Sequence, residues 1–284
     1  MPATITTAYN RTTQDREKIR TFWVLLLNLK KGNNMITRDE MESKLRELGL
    51  RKEMYIEVHS SLSSFGKVDG GAETIISALK NIVTPEGAII MPSFPMSKPF
   101  ELTEDDTQRG LTCKIKILDP NSSERTGMGI ISDTFRQMPD VITGEGMYRV
   151  SAWGAEQDKN SEGFSNLHAK DGYGLLLGVD IYKLTSMHYV EDNLPSEIQD
   201  IFRPTAEVQR HYPKKQWYIE TGKPPEKAWY KIQDQAYARG YIKDITIGTA
   251  KCMFFKVNNV INLYKDALAC DALGLYGIKK SARQ

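Results

Sequence analysis

The 284-residue chain has only three cysteines and four histidines, and an excess of only two positive charges, from 38 basic and 36 acidic side chains. Cys113, Cys252 and Cys270 are odd in number and far apart, and they form no CxxC pair. His59, His168, His188 and His211 are isolated from one another, with no HExxH. Neither a zinc site nor a disulfide framework is expected, and a reducing compartment is the default. The even charge balance leaves no footprint for duplex nucleic acid. The nearest candidate for a membrane span, Phe22-Trp-Val-Leu-Leu-Leu-Asn-Leu29, is less than half the roughly 20 residues a helix needs. Asp15 and Glu17 interrupt the basic residues before it, Lys30 and Lys31 follow directly, and no small-residue cleavage site is visible. A secretory signal is therefore not expected. These absences predict a cytoplasmic protein with no metal, no nucleic-acid partner and no membrane association. Also missing are GxxxxGK[ST], GxGxxG and GxSxG, the signatures of P-loop, dinucleotide-binding and α/β-hydrolase sites.

What is present is an ordinary globular composition, 40% hydrophobic and 26% charged, in a chain long enough to bury a core without covalent staples. Residues 1–34 read as an N-terminal extension, partly disordered, and 35–284 as a single α/β domain. Thr37 and Glu40 open a capping box before a helix that ends at Gly49. Residues 54–58 are a short β-rich run. Apolar positions at Ile75, Ile76, Leu79, Ile82 and Val83 have a helical period over 71–83. A turn at 84–87 and a buried strand at 88–91 follow. Strand, Ser/Gly loop, helix, turn and strand make a βαβ unit, hence parallel strands. Residues 92–126 show little periodicity and read as a functional loop or lid. Further on, the pattern predicts a helix over 127–136, a buried strand over 175–179 and a short helix over 185–194. It then predicts strands within 205–219, a helix over 225–239, strands at 244–247 and 252–256, and a helix at 259–268.

Three stretches carry candidate chemistry. The loop from His59 to Gly71, with Ser60, Ser61, Leu62, Ser63 and Ser64 at its start, follows a strand and feeds a helix. Its glycines permit close backbone approach, and the helix start offers free N–H groups to a phosphate or pyrophosphate. A plain turn fits the spacing equally well. In Thr185-Ser-Met-His-Tyr-Val-Glu-Asp192, Thr185 is a good N-cap, and His188 falls in the first helical turn, where the dipole favours neutral imidazole. Glu191 and Asp192 lie three and four residues on, where a carboxylate can orient the ring. A surface histidine beside solvated acids is the other reading. Finally, Arg125 just before Thr126, Gly127, Met128 and Gly129 could meet an anion, and the acidic run Glu101, Glu104, Asp105 and Asp106 could meet a cation. Either could equally be solvated charge.

Taken together, these segments resemble the aminoglycoside 3-N-acetyltransferase family. The matching stretches are Val58 to Gly66, Gly70 to Leu79, Pro85 to Pro92, Arg125 to Gly129 with Phe135-Arg136, Ser151 to Gly154, Leu175 to Gly178, Thr185 to Glu191 and Ile247 to Ala250. The resemblance runs from about residue 36 to 270 and implies a layered α/β/α domain with a mostly central sheet and a loop-rich insertion. It implies acetyl-CoA as co-substrate, held by His59, Ser60, Ser61, Leu62, Ser63 and Ser64 together with Arg125, Thr126, Gly127, Met128 and Gly129. It implies His188 and Glu191 as the catalytic pair, with Asp119 and Asp192 as acceptor-binding acids and no metal. The implied reaction is acetyl transfer to the 3-amino group of an aminoglycoside, an antibiotic-resistance activity, by a monomer or homodimer acting on a small-molecule amine. Two stretches depart from the family. Where it often carries Arg-Ser-x-His-Pro, the chain reads Thr143-Gly-Glu-Gly-Met-Tyr148, and Ser165-Asn166 replaces a usual Ser-Pro. Both fall where the acceptor is expected, which leaves open a different amine or amino sugar, or a non-catalytic CoA-binding relative.

Overall fold

A computed structural model describes residues 35–94, 98–109, 111, 113–116, 125–145, 149–191, 194–196, 198, 205–211, 217–220 and 226–278. The extension 1–34 and the candidate acids Asp119 and Asp192 lie outside these residues. Helix α1 (Arg38–Leu48) starts where the Thr37 hydroxyl accepts the Glu40 amide at 3.3 Å, and stops at Gly49, whose φ of +133° ends the coil. Strand β1 (Tyr55–Ser60) runs into a 3-10 turn at Leu62–Phe65 and then α2 (Gly71–Val83), which returns the chain to β2 (Ala88–Pro92). β1 and β2 pair in parallel, as the βαβ pattern requires. The apolar stripe of α2 is fully buried, each such side chain contributing roughly 1.5–3 kcal/mol relative to exposure.

The expectation of an unstructured lid over 92–126 is corrected. This stretch contains β3 (Lys98–Phe100), α3 (Glu104–Gln108) and β4 (Cys113–Lys116). A capping box in which Asp106 replaces the usual glutamate starts α3: the Thr103 hydroxyl accepts the Asp106 amide, and Asp106 accepts the Thr103 amide at 2.8 Å. Asp106 is buried; what reads as a solvated acidic run includes a helix cap.

The chain continues through α4 (Ile130–Arg136), β5 (Ile142–Thr143), β6 (Val150–Gly154), α5 (Gln157–Ser161), α6 (Ser165–Ala169) and β7 (Tyr173–Leu177). A 3-10 turn at Thr185–Met187 leads into α7 (His188–Glu191). Thr185 is thus the first residue of the turn rather than a side-chain cap, a second correction. A third falls at 205–219, within which strands are expected. Residues 206–211 form α8 (Ala206–His211), with the Val208 amide on the Thr205 hydroxyl at 3.3 Å, while β8 (Trp217–Glu220) is the strand among the described residues here. Helix α9 (Glu226–Ala238), strands β9 (Lys243–Ile247) and β10 (Ala250–Lys256), and α10 (Val257–Tyr276) follow. The last helix runs eight residues past its predicted end, with a non-helical residue at Asp271.

The main sheet has the order β5-β6-β2-β1-β7-β10-β9, with β2, β1 and β7 parallel at its centre and antiparallel pairs outside them. A second sheet, β3-β4-β8, is antiparallel. Alternation along the central strands divides the core into two layers. Ile56, Val58, Ile89, Met91, Leu175, Leu177, Cys252 and Phe254 face α1, α2 and α4. Ile90, Leu176, Met253 and Phe255 face α9 and α10. The layered α/β/α architecture is therefore built by period-two burial on strands covered by helices on both faces.

Candidate active site

In an open α/β sheet the ligand crevice forms beyond the carboxyl ends of parallel strands, where crossovers diverge. Here β1 ends at Ser60, paired with Leu177 at the end of β7, and the Ser61 amide continues the ladder to the Leu177 carbonyl at 2.9 Å. The Ser-rich loop and the segment leading to His188 therefore leave the same edge of the sheet.

The Ser-rich loop is held from several sides. The Ser64 hydroxyl donates to the Gly178 carbonyl at 2.9 Å, and the Thr249 hydroxyl donates to the Ser64 carbonyl at 2.6 Å. The Ser61 and Ser63 hydroxyls lie 3.2 Å apart. Among the described residues no protein acceptor meets the amides of Leu62 and Ser63, the first of the 3-10 turn, whose amides lack partners within it. The His59 ring is buried, and its Nε2 lies 2.8 Å from Glu57 Oε1 and 3.2 Å from the Thr185 amide. A cavity of about 290 Å³ beside this loop is lined by Ser64, Gly178, Asp180, Gln233 and Thr249, among others.

The Arg125–Gly129 segment converges on the same loop. The Thr126 amide donates to Asp133 on α4 at 3.0 Å, while the Thr126 hydroxyl and Gly127 amide both bind the Phe94 carbonyl just past β2. The Thr126 hydroxyl in turn accepts the Met128 amide at 3.2 Å. Gly129 has φ +89°, and a Cβ there would stand 3.6 Å from the Ser60 carbonyl, so this backbone passes directly over the Ser-rich loop. Arg125 is exposed. The two predicted cofactor segments, far apart in sequence, are thus brought together.

His188 and Glu191 sit one turn apart, with Nδ1 2.6 Å from Glu191 Oε2. A carboxylate only accepts, so Nδ1 is the donor in that contact and Nε2 is the nitrogen left over, on a ring whose side chain is 61% exposed. Glu191 is not a solvated acid. Its other oxygen accepts the Trp229 indole N–H at 3.1 Å and the Tyr264 hydroxyl at 3.2 Å, and Tyr276 meets Tyr264 at 2.6 Å. Trp229 and Tyr264 are buried, and Trp229 also presents an edge to the His188 ring at 4.9 Å. Burial, with the Glu191 charge adding to it, pushes the Tyr264 phenol far above the ordinary range, so it remains a donor. Trp229 and Tyr264 are functional candidates that sequence reasoning missed. They lie 38 and 73 residues from Glu191, on helices whose patterns read simply as core. His168 stacks on Tyr189, next to His188, at 4.8 Å.

The arrangement offers a carboxylate-oriented imidazole and, at the same edge of the sheet, a Ser-rich loop whose Leu62 and Ser63 amides have no acceptor among the described residues. Among the described residues no group of three or more metal-ligating side chains occurs, and no helix is long and apolar enough to cross a membrane.

The family model described as aminoglycoside 3-N-acetyltransferase matches residues 58–269. The chain is 30% identical over 247 residues to the SPbeta prophage-derived aminoglycoside N(3')-acetyltransferase-like protein YokD of Bacillus subtilis (strain 168), covering 80% of this chain and 90% of that one. The crystal structure of YokD superposes with a TM-score of 0.64 at 27% identity, covering 86% and 97% of the two chains. An aminoglycoside N(3)-acetyltransferase III from Acinetobacter baumannii is 29% identical over 178 residues, spanning 55% of this chain and 60% of that protein. The apoenzyme of aminoglycoside acetyltransferase AAC(3)-IVa shares the fold, with a TM-score of 0.66 at 20% identity over 86% and 92% of the chains.

Proposed function

The chain belongs to the aminoglycoside 3-N-acetyltransferase family, and from that premise we propose that it transfers acetyl from acetyl-CoA to an amine of an aminoglycoside, at the 3-position, as a resistance activity. The observation that carries the reading is the His188–Glu191 pair, with Glu191 backed by Trp229 and Tyr264, at the edge where the Ser-rich loop and Arg125–Gly129 converge.

In this reading acetyl-CoA lies along Ser60–Ser64 and under Thr126–Gly129, with Arg125 toward its phosphates. The acceptor amine is nucleophilic only when neutral. His188 Nε2 takes a proton from it as the amine attacks the thioester carbonyl, a contribution of roughly 10²–10⁴-fold. The C–N bond forms, the C–S bond breaks, and the thiolate leaves to be protonated. Glu191 holds the ring by Nδ1 and stabilises the imidazolium, and amides of the Ser-rich loop stabilise the oxyanion. Asp119 and Asp192 are proposed to meet the cationic acceptor.

A second reading, an acetyltransferase for another amine or amino sugar, draws on one observation. Residues 143–148 lack the histidine that the family often carries in a stretch expected to meet the acceptor. Free-thiol release from acetyl-CoA with a panel of aminoglycosides and unrelated amines, with products identified by mass, separates the two. Acetylated aminoglycoside supports the first reading. Turnover with other amines alone replaces it with the second, and CoA binding with no acceptor-dependent release on any amine contradicts both.

A further inference from the structure

Beneath the proposed base lies a buried polar cluster that the acyl-transfer chemistry leaves unused. Glu57 stands on the central strand β1 between Ile56 and Val58, and its relative exposure is 0%. A carboxylate so placed is costly unless hydrogen bonds answer it. Here one segment supplies most of them: Glu57 Oε1 accepts the Ser186 amide at 3.1 Å, and Oε2 accepts the Ser186 hydroxyl. His59, two residues along the same strand face, donates its Nε2 proton to Glu57 Oε1 at 2.8 Å, and the Thr185 amide nitrogen packs 3.2 Å from the same ring nitrogen. His59 and Ser186 are also buried, at 6% and 1%.

These contacts have a direction. Residues 56 and 58 pack into the layer beneath α1 and α2, so 57 and 59 project to the opposite face, that of α9 and α10. Both hydrogen bonds from Ser186 end on Glu57, and His59 packs against the Thr185 amide, two and three residues before His188. The strand that supplies them ends at Ser60, the first residue of the Ser-rich loop. One rigid strand therefore carries both the acyl-donor loop and the tether of the base, with only Met187 between the tethered segment and His188.

We infer that Glu57 and His59 are positioning residues, which fix the distance and angle between His188 and the acyl group by clamping the Thr185–Ser186 turn to β1. The inference rests on the reading of His188 as the base beside acetyl-CoA. It predicts that weakening the clamp slows chemistry at His188 without weakening CoA binding or changing the intrinsic reactivity of the imidazole.

The test uses the full chain and S-bromoacetyl-CoA, which places an electrophilic carbon at the acetyl position and needs no acceptor. His188 Nε2 displaces bromide, forming a C–N bond and an imidazolium, and peptide mass spectrometry locates the adduct. In the wild type the adduct is expected on His188. In Glu57→Gln, where one oxygen that accepts a donor becomes an NH₂, the limiting rate at saturating reagent is expected to fall roughly 10- to 100-fold. The half-saturating concentration should stay unchanged. Iodoacetamide, which is not tethered to CoA, should alkylate the exposed His188 ring at the wild-type rate. Ser186→Ala, which removes one donor and leaves β1 intact, should shift the limiting rate in the same direction by less, and it decides the matter if Glu57→Gln fails to fold. A folded variant with a lowered melting temperature but wild-type labelling would reduce the cluster to fold stability and overturn the inference, as would an equal slowing with both reagents. Absence of a His188 adduct in the wild type, with CoA itself bound, would overturn the base assignment and this inference with it.

Discussion

Removing one oxygen from Tyr264 isolates the contribution of the network behind His188, the proposed base. In Tyr264→Phe the ring and its packing remain, but Glu191 Oε1 loses the hydroxyl at 3.2 Å and keeps only the Trp229 N–H at 3.1 Å. The 2.6 Å contact between the Tyr264 and Tyr276 hydroxyls is lost too. A hydrogen bond to a charged group contributes about 1.5–3 kcal/mol. If all of it acted in the transition state, kcat would fall by a factor of about 10–100. One donor remains, so a fall of about tenfold is expected. The KM for acetyl-CoA should not change, because neither Tyr264 nor Glu191 is placed on the cofactor. Stability should drop as well, by about 1–3 kcal/mol for the hydrogen bonds removed, and the melting temperature with it by roughly 2–4 °C per kcal/mol. The assay is continuous thiol release at saturating acetyl-CoA with the best acceptor, alongside calorimetry. Wild-type kcat in a destabilised Tyr264→Phe would refute the claim that the Tyr264–Glu191 contact orients His188.

Three other substitutions probe separate parts of the account. Gly129 has φ +89° and ψ 172°, a region essentially reserved for glycine, so Gly129→Ala should cost about 1–3 kcal/mol and weaken CoA binding in a titration, because the segment over Ser60 must shift. Arg125→Ala should raise the Kd for CoA about tenfold by removing a charge-assisted contact to phosphate, while binding of acetyl-pantetheine, which lacks the phosphates, stays the same. Burial pushes the Cys252 thiol up to about 12, so it stays protonated and unreactive. Cys252→Ser should leave the native thiol titre at pH 8 unchanged and lower it by one only in denaturant.

Much of the architecture was legible where local pattern and tertiary role agree. The helical stripe of α2 and the Ser/Gly loop between two apolar runs sufficed for a parallel βαβ unit. The pattern failed where a polar side chain was satisfied locally. Asp106 and Thr205 each start a short helix that composition presents as loop or strand. The candidate site was legible in its contiguous motifs, His188 with Glu191 and the Ser-rich loop. What was not legible came from distant segments. The hydrogen bonds of Trp229 and Tyr264 to Glu191 depend on how α9 and α10 pack. Glu57 did leave a signal, a lone carboxylate between Ile56 and Val58 in a strand buried on both faces, where an unpaired charge would be intolerable.

The central claim is that His188 removes a proton from an acceptor amine while acetyl-CoA is held independently of it. Its most direct test is acceptor-dependent thiol release by wild type and His188→Ala, with CoA affinity measured on the same samples. The account predicts turnover lost by roughly 10²–10⁴-fold with CoA affinity unchanged. Retained turnover, or CoA binding lost in a folded variant, would contradict it.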